Sequence, residues 1–123
     1  VEKDGEHKDS FDVKSRGLMP LIDAARLLCL NQKITGANNT LVRFKELAAL
    51  EPQNATTYEA CSEAFSVLLK FRTEEGFASN SGGRYLGLNK LTKLDKVKLK
   101  NAFHPISDVQ EILKTRFQLT HFT

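Results

Sequence analysis

Apolar positions recur along this chain with helical spacing, and the first such stretch carries the fewest charges. Just before it, Phe11-Asp12-Val13-Lys14 alternates apolar and charged residues with period two, which predicts a short extended segment. From Leu18 the apolar residues recur every three or four positions, with Pro20 in a first turn that tolerates proline. The pattern predicts a first helix over Leu18–Gln32. Its buried face is expected to contain Leu18, Leu21, Ile22, Ala25, Leu28 and Cys29.

Two further amphipathic helices follow. The second is predicted to start at Asn39–Thr40, since either residue can cap it, and to stop before Pro52. The third is predicted to open with Thr56 and Glu59 in capping-box register and to end at Gly76. The inward residues are expected to be Leu41, Phe44, Leu47 and Ala48 in the second helix, and Tyr58, Cys61, Phe65, Leu68 and Leu69 in the third.

Residues 77–90 are rich in glycine and predict a loop. A phosphate-cradling loop is the sharper alternative, but no Gly-Lys-Ser/Thr follows and no predicted strand precedes it. The last helix is predicted to begin near Thr92, with Asp95 as its capping partner. Pro105 predicts a kink or a short break near His104. The apolar seam of this helix is expected to comprise Leu99, Phe103, Ile106, Gln110, Leu113 and Phe117.

These patterns predict an all-α fold, a single bundle of four main helices whose last helix is long and kinked near Pro105. Residues 1–10 are polar and are expected to form a linker or the end of a preceding domain, and residues 11–123 the helical domain. A length of 123 residues is typical of one domain. Because the first residue is Val1, we expect a piece of a longer protein.

The composition is that of an ordinary globular domain, with 41% hydrophobic and 27% charged residues. The net charge of +3 is too small to argue for nucleic-acid binding, so no nucleic-acid partner is expected. Cys29 and Cys61 lie within apolar patterns and are expected to be buried, reduced thiols. No apolar run reaches the length of a membrane span and no signal-peptide pattern opens the chain, so we expect a cytoplasmic protein without a membrane partner.

Binding chemistry is sought first among the cations, because guanidinium and ammonium groups hold polyphosphates. The basic residues on or beside apolar helices are Lys14, Arg16, Arg26, Arg43 and Arg72. Arg26 and Arg72 each close an apolar run, where an unpaired charge is costly. An intramolecular ion pair is the alternative for these two arginines. The acidic partners available to them are Asp23, Glu63 and Glu74.

Catalytic and metal-binding motifs are not expected in this chain. The histidines, His7, His104 and His121, are far apart and lack carboxylates or thiols at metal-ligand spacing. Neither cysteine has a neighbouring histidine to activate it. Arg116 and His121 have the spacing seen in helical ribonucleases of the HEPN type, which keeps an RNA-cleaving alternative open, although Phe117 stands where that motif usually has a polar residue.

Several of these stretches resemble one known family. Phe11-Asp12-Val13-Lys14, Gly17-Leu18, Pro20-Leu21-Ile22 and Ala25-Arg26-Leu27-Leu28 are similar to the opening of the nucleotidyltransferase substrate-binding domain. The likeness continues through Asn39-Thr40-Leu41, Ala64-Phe65, Leu68-Leu69, Phe71-Arg72, Leu91-Thr92 and Leu99-Lys100-Asn101-Ala102-Phe103, and ends near Gln110 and Phe117.

The resemblance implies a non-catalytic domain that forms one wall of a nucleotide or acceptor cleft. It implies an upstream nucleotidyltransferase domain similar to PII uridylyltransferases, which would supply carboxylates, magnesium and a nucleoside triphosphate, and often cyclic-nucleotide-binding and CBS domains in the same chain. The acceptor would be a nucleotide or a protein. The substrate-binding residues we expect on this basis are Lys14, Arg26, Arg43 and Arg72. The alternative function is a structural or docking module that relays signals between regulatory domains.

Overall fold

The computed structural model describes Gly5 and residues 7–122, with side chains as far as Gln118. In chain order the elements are β1 (Ser10–Asp12), a π-helical turn (Lys14–Leu18), α1 (Met19–Asn31), α2 (Thr40–Leu50), a 3-10 turn (Pro52–Asn54), α3 (Ala55–Ser79), β2 (Tyr85–Gly87), a second 3-10 turn (Leu88–Lys90) and α4 (Lys93–Phe122). The all-α prediction of four main helices is confirmed. Residues 1–4 and 6 of the predicted linker lie outside the described part of the chain.

The four helices surround one apolar core. The long helix α3 packs against both α2 and α4, and α1 also packs against α2 and α4. The predicted face of α1 is confirmed, with Ile22 only partly buried at its edge. The largest fully buried side chains are Tyr58, Phe44, Leu21, Leu28, Leu47, Leu68, Val13, Val109 and Cys61. The expected burial of both cysteines is therefore confirmed.

The first segment differs from the expected extended stretch. Only Ser10–Asp12 is a strand, because Val13 already has helical backbone angles (φ −65°, ψ −29°). The strand pairs with β2, an element that the sequence pattern did not reveal. The two strands are antiparallel, with Phe11 opposite Leu86 and Asp12 opposite Tyr85. Loop 77–90 therefore contains one short strand that returns across the start of the chain.

Two of the three capping interactions predicted at helix starts are confirmed. The side chain of Asn39 caps α2 by accepting a hydrogen bond of 2.9 Å from the backbone N–H of Val42. At the start of α4, the N–H of Asp95 donates to the Thr92 hydroxyl and the N–H of Thr92 donates to the Asp95 carboxylate, each at 3.0 Å. This exchange is the predicted capping box.

Both ends of α3 were predicted wrongly. The helix begins at Ala55 after a 3-10 turn, and the amide of its N-cap residue, Asn54, is hydrogen-bonded to Glu51 instead of capping the helix. Thr56 therefore lies inside the first turn. The helix also continues past Gly76 to Ser79 and stops at Asn80, whose φ of 51° is left-handed.

The last helix runs through Pro105 from Lys93 to Phe122, so the predicted break is wrong, whereas a bend there stays a prediction. Asn101, whose carbonyl has no N–H partner because residue 105 is a proline, is exposed to water.

The apolar seam predicted for α4 is wrong at Gln110 and Phe117, which are exposed. A 3.6-residue helix drifts away from a strict heptad pattern by about 20° per repeat, which turns Val109 inward instead.

Two other residues expected in the core are exposed. Leu41 on α2 and Leu69 on α3 keep 42% and 43% of their surface accessible. Each lies at the edge of its apolar stripe, where the neighbouring helices do not reach it. Periodicity alone gives the direction of a buried face but not its width.

A buried carboxylate joins all four helices at one end of the bundle. Glu51, only 4% exposed, follows α2 and accepts hydrogen bonds from four residues. Arg116 of α4 binds it with both terminal nitrogens, at 2.7 and 3.0 Å. The other donors are the side-chain amides of Gln32 (3.0 Å) and Asn54 (2.9 Å) and the hydroxyl of Tyr58 (2.9 Å). These five residues are called the Glu51 cluster below.

The protonation of the Glu51 cluster follows from its contacts. Burial alone would raise the pKa of Glu51, but the hydrogen bonds from Arg116, Asn54 and Tyr58 outweigh burial and lower the pKa from 4.5 to about 2. Burial and the hydrogen bond to Glu51 together raise the pKa of Tyr58 well above its usual value. The cluster is therefore a carboxylate bound by neutral donors and one guanidinium at neutral pH.

Replacing Arg116 by Met should lower the free energy of unfolding by roughly 3 kcal/mol, because it leaves Glu51 buried without its cation. The matched control is Arg26→Met on the exposed face of α1, which should change the stability by less than about 0.5 kcal/mol. Urea denaturation followed by circular dichroism measures both. Equal effects of the two substitutions would contradict the structural role of the cluster.

Acid should destabilise the chain through Glu51 in a defined pH window. Because the folded pKa lies below the unfolded value, the carboxylate stabilises the fold above pH 4.5 and loses this contribution as the pH falls towards 2. The loss is about 3 kcal/mol for a shift of this size. Denaturation curves at several pH values should show it in the wild type and in Glu63→Gln, and to a much smaller extent in the Glu51→Gln/Arg116→Met double variant. A double variant with the wild-type slope would refute this assignment.

Candidate functional site

A groove of about 620 Å³ lies between the start of the first helix and the middle of α4. Its lining residues are Phe11, Arg16, Pro20, Phe103, Ile106, Ser107 and Gln110. We call it the α1–α4 groove. Its volume falls in the range of small-molecule sites, and it combines an apolar lining with a few polar groups, as such sites do.

The floor of the α1–α4 groove is aromatic. The rings of Phe11 and Phe103 meet edge to face, with centroids 5.2 Å apart and planes at 86°. Phe11 is held by its strand pairing and Phe103 by the long helix α4. Two elements distant in sequence therefore build one rigid apolar surface.

The π-helical turn places Arg16 on the wall of the groove. The backbone N–H of Met19 donates to the carbonyl of Lys14, five residues back, which widens this turn before α1 begins. Gly17 lets the turn approach α3, because a Cβ at this position would lie 2.9 Å from Cδ1 of Leu68. Such turns are frequent at functional sites.

Asp12 fixes the strand and the π-helical turn to each other. Its carboxylate binds the guanidinium of Arg84, with Nε at 3.0 Å from both oxygens and Nη2 at 2.9 Å from Oδ2, and accepts the backbone N–H of Ser15 at 3.0 Å. Burial raises the pKa of Asp12, but the bonds from Arg84 and Ser15 outweigh it and the net pKa is lowered. Asp12 is therefore ionised and bound at the β1–β2 sheet, and it is not among the described residues that line the groove.

The loop after α3 places Arg84 next to Asp12. Nε of Arg72 donates to the carbonyl of Gly82 at 3.0 Å, so Arg72 fastens the loop to α3. Gly83 (φ 70°) lies against the carbonyl of Arg72, where an added Cβ would be only 1.8 Å from the oxygen. Arg84 then returns to the first strand, and its carbonyl accepts the N–H of Val13 at 2.9 Å.

The four cations expected to bind substrate fall into two groups. Lys14 lies in the π-helical turn, which packs on α3 one turn before Arg72. Arg26 lies on α1, roughly 18 Å further along the helix axis than Lys14. Arg43 lies on α2, and its carbonyl is 3.8 Å from Sγ of Cys29, three residues after Arg26 on α1. These cations therefore do not surround one site, and their role in binding stays a prediction.

The ion pairs considered for the two arginines are not formed by the described residues. Arg72 is half-buried and uses the Gly82 carbonyl, whereas Glu74 lies 4.0 Å from Lys70. Arg26 is exposed, and the described part of the chain shows no acidic group within 4.0 Å of it. Its guanidinium is therefore accessible to a ligand or a partner.

None of the four cations selected from the sequence is among the residues that line the α1–α4 groove, and two of its polar residues, Arg16 and Gln110, could have been considered. Arg16 was recognised as a cation but not selected, because its position relative to α4 depends on the π-helical turn. Gln110 was assigned to the apolar seam, whereas it lines the groove. A polar residue within an otherwise apolar repeat was the available signal.

Hydrolytic and metal-dependent chemistry finds little support in the described residues. No group of three or more His, Cys, Asp or Glu side chains there could hold a metal ion. Burial raises the pKa of the Cys61 thiol to about 12 and also raises that of Cys29, which makes both poor nucleophiles. Arg116 is committed to Glu51, which argues against the ribonuclease alternative, and the side chain of His121 lies outside the described residues.

No helix in the described part of the chain is long and apolar enough to cross a membrane. The described residues form an all-α bundle with a largely apolar groove and one arginine among its lining residues, a combination that small-molecule sites often have.

The chain belongs to the family described as "Putative nucleotidyltransferase substrate binding domain", whose model matches residues 1–117. This match confirms the family resemblance and covers the strand, the π-helical turn, the helices and the groove. Searches among curated proteins and among solved structures found no match.

Replacing Gly83 by Ala should destabilise the chain by more than about 2 kcal/mol, because the new Cβ would collide with the Arg72 carbonyl at a positive φ. The matched control, Gly82→Ala, adds a Cβ with nothing within 4 Å and should be close to neutral. Thermal denaturation of the two variants tests whether the loop packs against α3 at Gly83. Similar melting temperatures for both variants would show that the loop is not packed as described.

Proposed function

We propose that this chain forms one wall of a substrate cleft and holds an anionic substrate for a separate nucleotidyltransferase domain. Membership of the substrate-binding family supports the association with such a domain. The observation that carries the proposal is the α1–α4 groove, which has a rigid apolar floor and a guanidinium on its wall. A wall of this kind contributes to catalysis by positioning the substrate.

The charges around the groove favour an anionic substrate. Among the described residues that line it, Arg16 is the only ionisable one, and it is a cation. A guanidinium binds carboxylate or phosphate with paired donors. Lys14, two residues before Arg16 in the same turn, is the predicted cation nearest to this site, and Arg72 acts through the loop that holds Arg84.

The magnesium ion that the family implies does not fit the described residues. Their two buried carboxylates, Asp12 and Glu51, are each bound by an arginine. Oxygen-rich sites with free carboxylates are what magnesium needs. In this proposal the catalytic domain holds the metal and the nucleoside triphosphate, and the present chain contributes binding only.

The wider context follows from the family resemblance. We propose a cytoplasmic signalling protein with a nucleotidyltransferase domain similar to PII uridylyltransferases, regulated by cyclic-nucleotide-binding and CBS domains. The acceptor would be a nucleotide or a protein. In such an arrangement a change in the regulatory domains would move the bundle, and the moved bundle would hold the substrate in a different position.

A docking role for a different face is the second candidate. Leu27 and Leu30 on α1 and Leu41 on α2 are exposed, with Leu30 at 71%. Arg26 and Arg43 are on the same two helices, and arginines beside apolar residues are typical of protein interfaces. This face would bind a neighbouring domain while the α1–α4 groove binds the substrate.

Isothermal titration calorimetry with ATP and UTP should separate the two roles. The groove predicts that Arg16→Gln weakens nucleotide binding about tenfold or more, because one charged hydrogen-bonding partner of the phosphates is lost. Arg26→Gln, which lies outside the groove, should leave the affinity within about twofold if its role is docking. Lys98→Gln, on the α3–α4 side of the bundle, serves as the charge-matched control.

The reverse result, with Arg26→Gln weakening binding and Arg16→Gln without effect, would move the substrate site to the α1–α2 face. Absence of nucleotide binding by the wild-type chain would leave the docking role as the better account. Circular dichroism of each variant confirms that it is folded before the titration.

A further inference from the structure

We infer that the α1–α4 groove holds the base of a nucleoside phosphate, with the ring on the aromatic floor and the phosphates towards Arg16. This inference rests on the proposed function and adds which part of the substrate this chain recognises. In this arrangement the bundle recognises the base of the nucleotide and does not bind the phosphate chain alone.

The half-buried ring of Phe103 offers a surface on which a planar ring can stack. Phe11 and Phe103 are locked edge to face, and Pro20 and Ile106 complete an apolar surface around them. Aromatic side chains contribute to nucleotide binding by stacking against bases, whichever base is present. Because Phe11 is buried and strand-paired, the surface is preformed and does not have to be ordered by the ligand.

The α4 wall supplies the polar groups that a base edge requires. Ser107 and Gln110 lie one turn apart on α4 and both line the groove. A glutamine amide both donates and accepts, which matches the mixed donor and acceptor edge of a nucleobase. Both residues are exposed, so they are open to a ligand that enters the groove.

The two walls of the groove would contact different parts of the ligand. Arg16 and Pro20 belong to the π-helical turn and α1, whereas Ser107 and Gln110 belong to α4. A ligand that contacts all of them through complementary groups has a flat ring with a hydrogen-bonding edge and a separate anionic group. A nucleoside phosphate has this composition, whereas an inorganic polyphosphate would leave the aromatic floor uncovered, and an aliphatic acid would leave Gln110 without a partner.

The test compares ATP and UTP with tripolyphosphate and octanoate by isothermal titration calorimetry. We expect at least one nucleotide to bind about tenfold or more tightly than tripolyphosphate, and octanoate to bind weakly. Gln110→Leu should reduce the preference for the nucleotide over tripolyphosphate to about threefold or less, while leaving the affinity for tripolyphosphate unchanged. Gln118→Leu, the same substitution two turns further along α4 and outside the groove, should retain the full preference.

Each alternative result has a defined meaning. Equal binding of nucleotides and tripolyphosphate through Arg16 would overturn the base inference and leave the proposed function intact. Tight octanoate binding would identify the groove as a site for apolar acids, against the inference. A preference that survives both Gln110→Leu and Phe103→Leu would place the base elsewhere. If no probe binds, the inference and the proposed function both fail.

Discussion

The carboxylate of Glu51 is the constraint on which the arrangement of the helices depends. It lies at the junction between α2 and α3, and it is bound by a residue after the end of α1, by residues around the start of α3 and by Arg116 of α4. A buried charge is tolerated only when its partners are all in place, since removing one leaves an unpaired ion. The cluster therefore selects one position of α4 against the other helices more strictly than apolar packing alone would.

The same constraint determines the shape of the groove. Helices α1 and α4 both run from the groove, at Pro20 and Phe103, towards the Glu51 cluster, at Gln32 and Arg116. The cluster is about 18 to 20 Å from Pro20 and Phe103 along these helices. At the groove end, Asp12 and Arg84 fix the first strand, so both walls of the groove are held by buried carboxylate–arginine pairs.

The periodicity of apolar residues was sufficient to predict the four helices, their order and most of the core. It could not reveal contacts that arise when distant segments meet. The strand β2 depends on Arg84 reaching Asp12 across 72 residues, and the role of Glu51 depends on Arg116 across 65. Arg16 and Gln110 line one groove only because of the π-helical turn and the drift of α4, so periodicity could not bring these residues together, and the four cations chosen from the sequence stay a prediction.

The most direct test of this account is an NMR titration of the isotope-labelled chain with a nucleotide, following the backbone amides and the glutamine side-chain amides. The account predicts concerted shift changes in residues 11–20 and 103–110, including the Gln110 side chain, with the Glu51 cluster unchanged. Changes centred instead on Leu27, Leu30 and Arg43 would contradict it, because they would place the ligand on the α1–α2 face and leave the groove without a function.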